Sequence, residues 1–135
     1  MVSVKQFLLA AAVITGAIGL VLILFPALIA NLFLPNPAHG TDIFIRFLGS
    51  SLIGYTYLNW FTAKYNLSVR ATLIGNFATL FIALVISLIG VLDHSLKTTG
   101  WAIVLLHLMF AAGFGWFLFK TPTKATAKQK KTHIA

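Results

Sequence analysis

Four runs of apolar residues, at approximately 4–25, 43–63, 70–92 and 99–119, each come close to the roughly 20 residues that carry a helix across a hydrocarbon core about 30 Å thick. Lipid offers no water to backbone N–H and C=O groups, so runs of this kind either form helices or do not cross. No carboxylate falls inside any of them. The two acidic residues of the chain, Asp42 and Asp93, sit at the edges of the second and third runs. With 59% hydrophobic and 9% charged residues, against about 25% charged in a soluble domain, the chain has too little polar surface to face water. The links between runs are short, which makes neighbouring helices antiparallel. The predicted fold is therefore all-α: an integral membrane protein of four transmembrane helices in an up-down antiparallel bundle. A length of 135 residues accommodates one such domain, at 1–120, followed by a basic tail at 121–135.

The first run begins beside Lys5 but is too long for a signal peptide and lacks a small-residue cleavage site, so it reads as a retained helix. Pro26 has no N–H to continue that helix, and its ring clashes with the preceding turn. A bend is predicted there, with 27–34 as a short interfacial segment and Pro35-Asn36-Pro37 ending it. Helix caps are expected from Thr41 or Asp42, from Asn66 or Ser68, and from Ser95, Thr98 or Thr99. The tail, rich in Lys and Thr and almost free of apolar residues, is predicted to be disordered.

Eight Lys and two Arg against two Asp give a formal charge of +8. In the four-span arrangement Lys5, Lys64, Arg70, Lys120, Lys124, Lys128, Lys130 and Lys131 share one side, and Arg46 and Lys97 the other. Cytoplasmic flanks carry the excess of basic residues, so both termini are predicted to be cytoplasmic. Because the charge gathers beside apolar spans, the partner it implies is membrane lipid, with anionic head groups at the basic tail, and no nucleic acid.

Ionisable groups at membrane depth are costly and are by default candidates for function. Counting about 1.5 Å per residue from mid-span puts Arg46 roughly 11 Å and His107 roughly 5 Å from the midplane, both in the non-cytoplasmic half. Arg46, Ser50 and Tyr57 recur at helical spacing on one face of the second span. Thr72, Asn76, Thr79, Ala83 and Ser87 form a polar or small stripe on the third, which has to face protein. Arg46, Ser50, Tyr57, Ser87 and His107 are thus the candidate ligand-binding residues, lining an intramembrane pocket. The alternative for each is structural: Arg46 reaching out to the surface or pairing with Asp42 or Asp93, His107 bonded to a neighbouring Ser or carbonyl, and Gly, Ser, Thr and Asn serving helix packing.

His39, Asp42, Asp93 and His94 in the outer loops have the chemistry of metal ligands but no specific spacing, and capping explains them equally well. No metal or catalytic residue is assigned. The absence of Cys excludes thiol redox chemistry. A lone His within the spans is one short of a bis-His haem. No H-E-x-x-H, G-x-S-x-G or phosphate-binding glycine loop occurs. Exporters that rely on an intramembrane carboxylate are likewise disfavoured.

The stretch L-F-P-A-L-I-A-N-L-F, into which the first span runs, and R-F-L-G-S-S-L-I-G, G-N-F and L-L-H-L-M-F-A-A-G-F of the second, third and fourth spans resemble small bacterial membrane proteins of the DoxX-like kind. The resemblance covers nearly all of the chain before the tail and implies a four-helix bundle in the inner membrane. A few such proteins are linked to quinone-dependent oxidation or to redox-enzyme complexes. The functional expectation is a non-catalytic binding or accessory subunit for a lipid- or quinone-like ligand, working with a membrane-protein partner or as a homo-oligomer. The alternative is a small oligomeric transporter or channel, in which Arg46 and His107 would favour anions.

Overall fold

A computed structural model describes residues 2–65 and 67–121. The predicted disordered tail and its Lys124, Lys128, Lys130 and Lys131 lie outside the described residues, as does Asn66. The described residues form five helices: α1 (Val4–Leu24), α2 (Pro26–Phe33), α3 (Thr41–Tyr65), α4 (Val69–Leu92) and α5 (Gly100–Lys120).

Local chemistry sets several of the boundaries. Ser3 and Gln6 form a reciprocal capping box at the start of α1, satisfying two backbone donors that the first turn leaves free. Phe25 leaves helical geometry at φ −126°, and Pro26 restarts the chain as the first residue of α2, where its missing N–H costs nothing. Ser68 and Thr99 occupy the cap positions of α4 and α5, but neither side chain bonds its own helix. The Thr41 hydroxyl donates back to the Ala38 carbonyl at 2.7 Å.

Three helices, α1, α4 and α5, are long and apolar enough to cross a membrane, not the four expected. The exception is α3, the longest at 25 residues. It carries Arg46, Ser50, Ser51, Thr56, Asn59, Thr62 and Lys64 among its apolar residues, which dilutes its hydrophobicity. Its fully buried Asn59 and Thr62 face protein.

All long neighbours run antiparallel. α1 packs along α3 and α4 along α5, forming two close hairpin-like pairs. In the first pair a Cβ added to Gly19 would lie 2.8 Å from the Gly49 carbonyl, and one added to Gly49 would lie 2.7 Å from the Gly19 carbonyl. Only glycine permits that approach. The pairs join through one apolar core of Leu8, Ala11, Ala63, Leu73 and Phe114. Phe7 of α1 reinforces it, packing edge-on against Phe114 with ring centres 4.9 Å apart. This core sits at the end where α1 begins and α5 finishes. The opposite end is bridged by α2, whose Asn31 and Phe33 carbonyls accept from the side chain and backbone of Lys97 at 2.7 and 2.8 Å.

Candidate functional site

A ladder of polar side chains ties α3 to its neighbours. Thr15 of α1 and Thr56 of α3 bond at 3.0 Å. Across the α3–α4 seam the pairs are Tyr55–Thr79 at 2.8 Å, Asn59–Asn76 and Thr62–Thr72 at 2.9 Å. Asn59 and Asn76 exchange amides, with Asn76 donating at 3.0 Å and Asn59 at 3.4 Å. Among the described residues no buried side-chain polar atom lacks a partner. Thr72, Asn76 and Ser87 of the stripe expected on the third span are buried, whereas Thr79 is exposed and bonds Tyr55. Its partners on α3, Tyr55, Asn59 and Thr62, carry the same signal in the sequence, polar groups at four- and three-residue steps.

Three cations sit on helix C-termini, where unpaired carbonyls and the negative end of the dipole favour positive charge. Arg46 donates to the Ile23 carbonyl in the last turn of α1. The carbonyl needs this because Phe25 and Pro26 interrupt the helix. Lys97 donates to the Asn31 carbonyl near the end of α2, and Arg70 to the Thr121 carbonyl at the end of α5. Arg46 therefore has a structural bond, but a guanidinium carries five N–H donors and the side chain remains exposed.

The five candidate residues divide between two places. Arg46 and Ser50 line a surface groove with Ile23, Ile43 and Phe47. Tyr57 lines the adjoining groove with Gly16, Leu20, Ile23, Ile53, Thr56, Trp60 and Phe61. Ile23 belongs to both, so the two form one track along the α1–α3 flank. Both grooves lie open along the helix surface rather than enclosed. Ser87 and His107 line neither groove. They meet each other across α4 and α5, with Ser87 Oγ 3.2 Å from His107 Nδ1. Ser87 also bonds the Leu84 carbonyl at 3.0 Å. A hydroxyl has one proton, so when it serves Leu84, His107 donates from Nδ1 to Ser87 and keeps Nε2 as an acceptor.

After α4 the Asp93 carboxylate accepts from the Ser95 N–H at 2.9 Å, and this bond holds its pKa below the ordinary value. His94 adopts a left-handed φ of 63°. Among the described residues, no three His or Asp side chains gather as a metal-binding group, so His39, Asp42, Asp93 and His94 do not converge on one point. No family model, curated protein or solved structure matches the chain.

Proposed function

We propose that this chain is a four-helix integral membrane protein that acts as a non-catalytic binding or accessory subunit, and that the α1–α3 track holds a lipid- or quinone-like amphiphile. The observation that carries the reading is the continuity of the track: a cation and a hydroxyl at one end, then an apolar wall broken only by Thr56 and aromatic edges. An amphiphile has the matching order of polarity.

On this reading α3 is the fourth crossing. Its 25 residues extend about 38 Å at 1.5 Å per residue, more than a hydrocarbon core of about 30 Å, and its most polar buried groups are bonded to α1 and α4. Lys5, Lys64, Arg70 and Lys120 gather at the core end of the bundle, which supports cytoplasmic termini. The sequence resemblance to DoxX-like proteins accords with a bacterial inner membrane, and the basic tail suits anionic head groups there.

The test is chemical. Chain purified in a mild detergent is extracted with organic solvent, and the extract is analysed by mass spectrometry. A near-stoichiometric amphiphile, depleted in a Tyr57→Ala, Ile53→Ala double variant that still folds, is the expected result. Absence of any retained amphiphile, together with salt-selective flux in liposomes, would replace this reading with transport.

A further inference from the structure

We infer that the head of this amphiphile is a phosphate, so that the track is a site for an anionic phospholipid with its phosphate on Arg46 and one acyl chain along α1–α3. The inference rests on the binding reading above and adds the ligand class.

Three observations lead there. The exposed Arg46 spends one guanidinium donor on the Ile23 carbonyl, which fixes the side chain over the first groove and leaves four N–H groups for another acceptor. A planar fork held in place in this way suits a phosphate, which accepts two parallel bonds. Ser50, one helical turn further along the same groove, gives its proton to the Phe47 carbonyl at 2.8 Å and so offers a phosphate no donor, which leaves Arg46 as the polar contact of the groove. Asp42, the nearest carboxylate in sequence, is not part of the groove wall.

The length also fits. From Arg46 to Tyr57 the helix rises about 16 Å at 1.5 Å per residue, close to the half-thickness of a hydrocarbon core of about 30 Å. With Arg46 about 11 Å from the midplane, an acyl chain whose phosphate sits on it runs beside Ile23 and Ile53 to the bilayer centre, and Tyr57 lies just beyond that centre. A quinone head would leave most of the guanidinium donors unanswered, since its carbonyl oxygens are neutral and lie on opposite sides of a ring. Charge complementarity selects the phosphate.

Binding to detergent-purified full-length chain, followed by native mass spectrometry, separates the alternatives. The probes are dioleoyl phosphatidylglycerol, its dihexanoyl analogue, dioleoylglycerol and inorganic phosphate. The expected order places the dioleoyl phosphatidylglycerol at least tenfold tighter than dioleoylglycerol, with the short-chain lipid weaker and inorganic phosphate weaker still. Arg46→Gln should lose roughly tenfold for the phospholipid, the scale of one charge-assisted contact, and Arg46→Lys should lose less. Equal binding of phosphatidylglycerol and dioleoylglycerol to the unaltered chain would overturn the phosphate while leaving the groove reading standing. Equal binding of long- and short-chain lipids and inorganic phosphate would make Arg46 a soluble-anion site and overturn the lipid. No binding of any probe would overturn this inference, while a quinone-like amphiphile in the solvent extract described above would leave the groove reading standing. Because the probe series uses the unaltered protein, a folding defect in the Arg46 variants cannot shelter the proposal.

Discussion

Replacing Asn59 by Leu, a larger side chain with the same heavy-atom branching, tests whether the polar seam or the apolar core sets the α3–α4 register. Asn59 is 0% and Asn76 4% exposed. The substitution removes both interhelical amide bonds, worth about 0.6 kcal/mol each in membrane bundles. It also leaves the Asn76 Oδ1 without a donor, adding about 1 kcal/mol. The Asn76 Nδ2 keeps its bond to the Thr72 carbonyl at 2.9 Å. Asn59→Leu should therefore cost about 2 kcal/mol. Asn76→Leu should cost about 3, because Asn59 has no second partner and both ends of its amide are orphaned. The double variant loses the bonds but orphans nothing, so its cost should fall to about 1 kcal/mol. Steric trapping of the chain in bicelles measures all three. Additivity of the single costs to within about 0.5 kcal/mol, or Asn59→Leu costing more than Asn76→Leu, would refute the assignment of the seam's energy to this exchange.

At the glycine crossing, Gly49→Ala should lower stability by about 1–3 kcal/mol, since the new Cβ meets the Gly19 backbone carbonyl. Gly54→Ala, whose Cβ would meet nothing within 4 Å, should instead leave it unchanged or raise it by up to about 1 kcal/mol through helix propensity; equal losses in thermal melts would contradict the close approach. For topology, Lys97→Cys should react with an impermeant thiol reagent in intact cells and Lys128→Cys should not, and the reverse pattern would invert the proposed orientation. For pH, the Asp93 carboxyl has a depressed folded pKa, so its contribution is complete above the ordinary carboxylate value and is lost as pH falls through the folded one. Melting temperature should therefore drop on acidification in that window for the unaltered chain and less steeply for Asp93→Asn; identical slopes would show that the Ser95 bond contributes nothing.

Much of the architecture is set by one-dimensional properties. The apolar runs, the break at Pro26 and the segregation of Lys5, Lys64, Arg70 and Lys120 from Arg46 and Lys97 all follow from residue order, because run length and backbone donors do not depend on neighbours. The capping box of Ser3 and Gln6 was equally readable as S-x-x-Q. The second apolar run is the exception: α3 carries polar side chains that bond other helices, so its composition does not mark it as a span in the way that of α1, α4 and α5 does. The depth of Arg46 and His107 also followed from counting residues, but depth says nothing about direction. Arg46 turns to the Ile23 carbonyl at the end of α1 and His107 to Ser87 on α4, so the two divide between the two helix pairs. Tertiary structure decided that division. Which helices pair depends on where two backbones can approach closely, as at Gly19 and Gly49. That approach fixes the rotation of each helix, and with it which polar groups are spent on one another and which, as at Arg46, are left facing an open groove.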